Sequence, residues 1–377
     1  MGVVARRILG KNKKLHKMRR WRKICVIIVG AACAAGIAVG YWYFFSLKSP
    51  TLLWPPLKDL AAVHNVALGV HVEPDGLNNK IYAGIVSSQF DFLTLDGGGS
   101  SFSQIQPGPT IYDFANADKM VNFAVQHNMP VQFHHLVWGD AVNLPNWLLK
   151  GGYSKNQILQ ILHNHISTIM DRYRGRVQTY TVVNEAFAEE QHVYGVKNWF
   201  VDQLGNNTSY VDQMFIWAHQ ADPTATLLLN DFDDETKTSV SNAMLGYIKA
   251  ARARGVPIDG IGMQMHIDAS RPPSKQAVVA NMKRFAAIGV PVYVTEFDIN
   301  TNAVKADKAY KEQLETKIAK DMVGACIESK ACVSFDVFGL TNKNDLVRIL
   351  TRANSREYMF DSRYVPRQQY YAFHSAW

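Results

Sequence analysis

Short runs of apolar residues alternate with longer stretches of helical periodicity along most of this chain. Beyond residue 64, eight runs have the length and the β-branched and aromatic content of buried strands. They span residues 65–72, 90–96, 130–138, 177–185, 225–231, 258–266, 291–299 and 333–340. Segments in which apolar residues recur every three or four positions separate most of them, at 117–127, 156–173, 209–220, 240–254, 274–288 and 311–328. This alternation indicates parallel β-α units.

Eight β-α units predict an α/β fold for residues 65–377, namely a (β/α)8 TIM barrel. A doubly wound open sheet is the alternative arrangement of the same elements. The glycines at 97–99 match neither a dinucleotide-binding fingerprint nor a phosphate-binding P-loop. No spacing of histidines or cysteines is typical of zinc. We therefore expect neither a cofactor nor a metal site.

The positive charge of the chain is confined to its first residues. The formal net charge is +8, but residues 1–23 contain ten Lys and Arg and no acidic residue. The remaining 354 residues carry 30 basic and 32 acidic residues. A nearly neutral body of this kind does not support a nucleic-acid partner, which would require a basic surface.

A segment without charged residues follows the basic tail at 24–45. At helical rise its length matches a hydrocarbon core of about 30 Å, and it ends in an aromatic cluster at 41–45 that suits a membrane interface. We predict a transmembrane signal anchor, with residues 1–23 in the cytoplasm and the body outside. A cleaved signal peptide, and hence a secreted protein, is the alternative. Residues 46–64 contain three prolines and are predicted to form a linker.

Two of the four cysteines lie in the body of the chain, at Cys326 and Cys332. A body outside the cytoplasm would allow them to form a disulfide. Two free buried thiols are the alternative.

Polar or aromatic side chains stand at the end of nearly every predicted strand. Because barrel enzymes carry their chemistry at the carboxyl ends of the strands, this pattern indicates a lined pocket. The residues concerned include Glu73, Asp96, His134, Trp138, Asn184, Glu185, Asn230, Gln264, His266, Glu296, Asp298 and Phe338.

Two of these side chains are glutamates on the fourth and seventh strands, Glu185 and Glu296. Those strands lie on opposite sides of an eight-stranded barrel, so their ends can face each other across a bound sugar. Glycoside hydrolysis requires such a pair, in which one carboxyl donates a proton and the other attacks or activates water. A single glutamate at a strand end is more often a solvated acid or an ion-pair partner, and the surrounding sequence must decide.

The residues around both glutamates resemble motifs of glycoside hydrolase family 10, the xylanase family. TVVNEA (181–186) and VTEFDI (294–299) resemble its acid/base and nucleophile motifs. Further resemblances occur in the same order along roughly residues 65–377: FHHLVW (133–138), LPNWL (144–148), LLNDF (228–232), IDGIGMQMH (258–266) and FDSRYVPRQQYYAF (360–373). Two cysteines before the eighth strand also occur in many members of the family.

The resemblance implies a retaining double displacement on a polysaccharide or oligosaccharide, carried out by a monomeric catalytic domain. Glu185 would be the general acid and then the base, and Glu296 the nucleophile. A retaining mechanism predicts carboxyl groups about 5 to 5.5 Å apart.

The resemblance also implies roles for the neighbouring side chains. Asn184 would bind the 2-hydroxyl of the sugar, while His266 and Asp298 would form a network that keeps Glu296 ionised. Outside this context, His266 would be a core histidine and Asp298 a helix cap. The substrate-binding residues are predicted to be His134, Trp138, Gln264, Asn230 and Phe338.

The chain departs from the family pattern around the sugar-binding wall. A glycine- and serine-rich stretch, 94–107, replaces the polar second-strand cluster of the family. Gly139 follows Trp138 in place of a histidine, Phe338 replaces a tryptophan, and Tyr180-Thr181 replaces Trp-Asp. Two alternatives to a xylanase therefore remain open: the same mechanism on another glycan, and a glycan-binding protein without catalysis.

Overall fold

The structure is a computed structural model that describes residues 54–95, 97–187, 197–205, 208–341 and 358–377. Residues 55–377 form one compact unit. Its strands are β1 (Ala67–Val72), β2 (Phe92–Leu95), β3 (Val131–Trp138), β4 (Thr179–Asn184), β5 (Thr226–Asp231), β6 (Gly260–Met263), β7 (His266–Asp268), β8 (Val292–Asn300) and β9 (Cys332–Val337).

These strands close into a parallel barrel, as the sequence predicts. Each strand from β1 to β5 pairs in parallel with the next, while β9 lies between β1 and β8. The parallel pairing of β6 with β8 closes the ring of eight, and the short β7 extends it beyond β6 by pairing with β8. The open doubly wound sheet is therefore excluded.

Amphipathic helices surround the barrel. The α-helices that the structure describes are Leu57–Ala62, Lys80–Gln89, Gly97–Ser100, Phe102–Ile105, Ala115–Gln126, Asn146–Lys150, Lys155–Tyr173, Trp199–Leu204, Tyr210–Ala221, Ser239–Ala253, Lys275–Ala286, Lys308–Ser329 and Gln368–Ala376. Helix Lys155–Tyr173 shows why such segments are helical. A capping box between Ser154 and Gln157 begins it, and the side chains it buries, such as Ile158, Leu162 and Ile169, recur on one face.

Irregular backbone occurs where the strands end in the site. Glu185, Asp233 and Met265 have φ of 57°, 56° and 64°, in the left-handed region that costs non-glycine residues free energy. Met265 separates β6 from β7, so the single predicted strand 258–266 is interrupted there. The register between β8 and β9 also shifts between Val294 and Phe297, on either side of Glu296. Such irregularities re-aim side chains at the ends of strands.

The outer boundaries of the barrel differ slightly from the predicted ones. The compact unit begins at Pro55, and Leu57 and Ala61 are fully buried, so the end of the predicted linker packs on the barrel. Cys326 and Cys332 are paired in a disulfide with their Cα atoms 5.0 Å apart. The predicted tail (1–23) and anchor (24–45) lie outside the described residues. Within the described ranges, no helix has both the length and the apolar character needed to cross a membrane.

Candidate active site

The end of β4 presents Asn184 and Glu185 side by side. Glu185 is the first residue after the strand, and its amide donates to the carbonyl oxygen of Asn230 on β5 at 2.9 Å. The neighbouring strand thus holds the backbone of Glu185 although its φ is left-handed. A left-handed residue maintained by its surroundings is typical of functional sites, because the rest of the structure must offset its cost.

The carboxyl of Glu185 accepts two hydrogen bonds. Trp138 Nε1 donates to Oε2 at 2.8 Å, and Gln264 Nε2 donates to Oε1 at 2.9 Å. The pKa of Glu185 is raised to about 7, mainly because the carboxyl is buried. The hydrogen bond from Gln264 lowers this pKa, and the negative charge of Glu296 raises it. Glu185 therefore retains its proton near neutral pH, as a general acid must.

Glu296 on β8 is in the opposite ionisation state to Glu185. The residue is 4% exposed, and its Oε1 accepts from Asn230 Nδ2 at 2.8 Å. His134 Nε2 lies 3.5 Å from Oε1, and His266 Nε2 lies 3.2 Å from Oε2. Burial raises the pKa of this carboxyl, but the charges of His134 and His266 and the bond from His266 outweigh burial and lower it below its usual range. Glu296 is therefore ionised, as a nucleophile must be.

His266 lies between two carboxylates. Its Nδ1 is 3.1 Å from Asp298 Oδ1, opposite the Nε2 that faces Glu296. The pairing of β7 with β8 places His266 directly beside Asp298. Burial lowers the pKa of the imidazole, but the carboxylates of Asp298 and Glu296 outweigh burial. The net result is a pKa raised to about 10. The ring thus carries a positive charge at neutral pH, with Nε2 hydrogen-bonded to Glu296 and Nδ1 ion-paired with Asp298.

Asn230 on β5 links β4 and β8, the strands that carry Asn184 and Glu296. It is fully buried, and its Nδ2 donates both to Asn184 Oδ1 at 2.6 Å and to Glu296 Oε1 at 2.8 Å. Its Oδ1 accepts from Thr295 Oγ1 at 2.7 Å. Gly262 makes room for it, because a Cβ there would lie 1.9 Å from Asn230 Oδ1. We therefore interpret Asn230 as a residue that positions the carboxyls, while its contact with sugar stays a prediction.

The amide of Asn184 is oriented by its neighbours. Its Oδ1 accepts from Asn230 Nδ2, and from Gln264 Nε2 at 3.3 Å. Because the oxygen serves these two donors, the NH2 group is the part of the side chain left to donate to a ligand. This orientation agrees with the predicted contact to a sugar hydroxyl, which needs a donor of this kind.

One network of hydrogen bonds, with an ion pair at its Asp298 end, therefore joins all the predicted catalytic and supporting residues. It runs from Trp138 through Glu185, Gln264, Asn184, Asn230, Glu296 and His266 to Asp298. Phe338 adjoins it, since its ring centroid lies 5.1 Å from that of His266. The roles of Trp138 and Gln264 in sugar binding remain predictions, and the structure adds that both hold Glu185.

Sequence reasoning missed several residues of this site. His71 on β1 and Asp336 on β9 are buried beside the network, and Thr295 precedes the nucleophile. A histidine in the apolar run ALGVHV was the signal available, since a strand interior seldom holds one without a partner. Asp96 lies outside the described residues. In the part of the chain that the structure describes, no group of three or more His, Cys, Asp or Glu could hold a metal ion.

Comparison with known proteins places this geometry in a family. The model described as "Glycosyl hydrolase family 10" matches residues 56–376. Endo-1,4-beta-xylanase B of Thermotoga neapolitana is 32% identical over 323 residues, which are 84% of this chain and 90% of that protein. Beta-1,4-xylanase of Dictyoglomus thermophilum is 36% identical over 224 residues, covering 59% of this chain and 61% of that protein.

Solved structures of the same kind superpose on the barrel. Xylanase 10B from Thermotoga petrophila RKU-1, in complex with xylobiose, has a TM-score of 0.77 and 28% identity over 85% of this chain and 96% of that chain. Xylanase10C from Cellvibrio japonicus, as a mutant in complex with xylopentaose, has a TM-score of 0.74 and 28% identity over 82% of this chain and 67% of that chain.

The raised pKa of Glu185 predicts a stability effect that depends on pH. Its pKa is about 7 in the fold against an ordinary value of 4.5, so the ionised carboxyl destabilises the fold increasingly as the pH rises from about 4.5 to 7. Glu185→Gln does not titrate and escapes this cost. Two differences in the free energy of unfolding, variant minus wild type, are compared. We expect the difference at pH 8 to exceed that at pH 4.5 by roughly 3 kcal/mol in favour of the variant.

Urea unfolding of both proteins at the two pH values measures this gain. The exposed Glu328 supplies the matched control, because Glu328→Gln removes a carboxyl that is not buried and should show no such gain. Equal differences for Glu185→Gln at both pH values would contradict the burial of a protonated acid.

Proposed function

The chain belongs to glycosyl hydrolase family 10, and we propose that it is a retaining endo-β-1,4-xylanase that hydrolyses polysaccharide by double displacement. The observation that carries the proposal is the pairing of a protonated Glu185 with an ionised Glu296 in one hydrogen-bonded network. A proton donor and an anionic nucleophile are the two groups that this reaction requires.

In the first step, Glu296 attacks the anomeric carbon while Glu185 gives its proton to the glycosidic oxygen. The bond to the leaving sugar breaks, and a covalent glycosyl-enzyme ester forms on Glu296. The ester removes the negative charge of Glu296. Because this charge raises the pKa of Glu185, the pKa of Glu185 falls in the intermediate. Glu185, now ionised, takes a proton from water, and this water releases the sugar with its configuration retained.

Asn184 and His266 assist these steps by donating hydrogen bonds. The NH2 group of Asn184 binds the 2-hydroxyl of the sugar, a contact that strengthens in the transition state. His266, held by Asp298, stabilises the carboxylate of Glu296 before attack and after release of the sugar. Both donors are in place before substrate binds, so little reorganisation is needed during the reaction.

Xylan is proposed as the substrate because relatives at 29–36% identity are xylanases by name, and because similar solved structures contain xylobiose and xylopentaose. A second candidate is the same mechanism on a different glycan. The observation that favours it is the altered wall, where Phe338 and Gly139 replace larger or polar family residues. A glycan-binding protein without catalysis is the less favoured alternative, since binding alone does not require two carboxyls in opposite states.

The test is to incubate the full chain with four substrates: xylan, arabinan, mixed-linkage glucan and an aryl β-xyloside. We expect xylan to be shortened internally, with the β-anomer appearing first in ¹H NMR spectra. Glu296→Ala should lower kcat by at least roughly 10⁴-fold, because the residues of a catalytic unit fail together. The matched control is Glu328→Ala, an exposed glutamate whose loss should leave kcat unchanged.

Each outcome separates the candidates. Cleavage of another polymer in place of xylan would favour the second candidate and leave the mechanism intact. Binding of a glycan by the wild type and by Glu296→Ala, with no sugar released by either, would overturn the enzyme proposal.

We further propose that residues 24–45 anchor the enzyme in a membrane, with the barrel on the outer side and residues 1–23 in the cytoplasm. The uncharged segment, the basic residues before it and the aromatic cluster after it support this topology.

The full chain should then remain in the membrane fraction after an alkaline wash, and external protease should reach the barrel in intact cells. The chain without residues 1–45 is the control and should be released. A soluble product lacking its first residues would instead show cleavage of a signal peptide.

A further inference from the structure

A second histidine–aspartate pair, His71 and Asp336, contacts the strand that carries Glu296. His71, in the interior of β1, is 1% exposed, and its Nε2 lies 2.8 Å from the carbonyl oxygen of Thr295. Because a carbonyl oxygen only accepts hydrogen bonds, this nitrogen must carry the proton and donate it. The bond links β1 to β8, which are separated in the sheet by β9, and it ends on the residue just before Glu296.

The carbonyl of Thr295 needs such a partner because the sheet is irregular there. The register between β8 and β9 shifts between Val294 and Phe297, so Thr295 and Glu296 lie outside the regular ladder. A buried carbonyl without a partner would cost about 1–3 kcal/mol. The Thr295 hydroxyl donates to Asn230 Oδ1 at 2.7 Å. The residue before the nucleophile is therefore held at both its carbonyl and its side chain.

Asp336 on β9 holds His71 in this position. Asp336 Oδ2 lies 3.5 Å from His71 Nε2, and the two side chains are 1% and 0% exposed. The same Oδ2 accepts from Thr94 Oγ1 on β2 at 2.5 Å. A carboxylate in such a site requires donors and positive charge around it, and Thr94 and His71 supply them. The pair thus ties β1, β2 and β9 to the strand of the nucleophile.

Aromatic contacts join this pair to the rest of the site. The Phe338 ring lies 4.7 Å from that of His71 and 5.1 Å from that of His266, so it packs against both histidines. The rings of His71 and His134 are 5.4 Å apart. Two histidines therefore contact Glu296, a third contacts the residue before it, and the Phe338 ring packs against His71 and His266.

We propose that His71 and Asp336 form a positioning pair, in which Asp336 holds His71 and His71 fixes the Thr295 carbonyl and adds positive charge beside Glu296. Its effect on catalysis rests on the proposed function. The groups that face Glu296 are His134, His266 and Asn230 in contact, Glu185 across the site, and His71 from β1. Burial raises the pKa of Glu296, and His71 is among the charges that bring it down.

Two variants of His71 in the full chain separate its hydrogen bond from its charge. His71→Leu removes both, whereas His71→Gln keeps an amide that can donate to Thr295 but has no charge. We expect His71→Leu to lower kcat on an aryl β-xyloside by ~10-fold, equivalent to about 1.4 kcal/mol. His71→Gln should restore most of kcat. In both variants the acidic limb of kcat/KM should move to higher pH, because Glu296 becomes easier to protonate.

The matched control is His165→Leu, which removes another fully buried histidine, one bonded to Gln106 at 2.9 Å on a surrounding helix. It should lower the melting temperature without moving the acidic limb. A second readout does not depend on turnover: the Glu296 carboxyl is titrated by ¹³C NMR, with its signal assigned from Glu296→Gln. This titration should move to higher pH in both His71 variants.

The outcomes distinguish this inference from the proposed function. A wild type that cleaves no glycan, combined with a shifted Glu296 titration in His71→Leu, would support the positioning pair and refute the hydrolase. An active wild type with unchanged kcat, acidic limb and Glu296 titration in His71→Leu would overturn the pair alone. Should His71→Leu fail to fold, His71→Gln decides by the acidic limb and the titration.

Discussion

The negative charge of Glu296 is almost fully buried, and the ion pair with His266 stabilises it there. Removing a carboxylate from water costs several kcal/mol unless charge and hydrogen bonds compensate. His266 supplies both at 3.2 Å, and Asp298 behind it keeps the imidazole charged. The charge on Glu296 in turn helps to keep the proton on Glu185. The opposite states of the two carboxyls thus depend on the positive charges beside Glu296, His266 being the closest and His134 the next.

The barrel contributes rigid positions for these charges. Glu185, Glu296 and His266 stand at the ends of different strands, where parallel barrels gather their functional side chains. Each comes from irregular backbone: a left-handed residue at Glu185, another at Met265 just before His266, and a shift of register around Glu296. Regular strands would alternate their side chains between the inner and outer faces. The irregular residues break that alternation and let neighbouring residues serve the same site.

The sequence was sufficient for the barrel and for the positions of the two glutamates at strand ends, because both depend on local patterns; the catalytic roles of the glutamates stay predictions. Strand runs alternating with helical periodicity predicted the barrel, and motifs at two strand ends predicted Glu185 and Glu296. The contacts among side chains could not be predicted in this way. The bond from Trp138 to Glu185 depends on the direction of an indole ring, and the bond from His71 to Thr295 depends on a register shift. A single sequence without its three-dimensional structure shows neither.

The most direct test of the central claim, that Glu296 is the nucleophile of a double displacement, is to trap the covalent intermediate. A 2-deoxy-2-fluoro-xylobioside with a good leaving group slows the second step more than the first, so the glycosyl-enzyme accumulates. Mass spectrometry of the digested full chain should show one fluorinated disaccharide, attached to the peptide that contains Glu296 and absent in Glu296→Ala. Attachment to another residue, or turnover of the substrate without a covalent adduct and with inversion of configuration, would contradict the account.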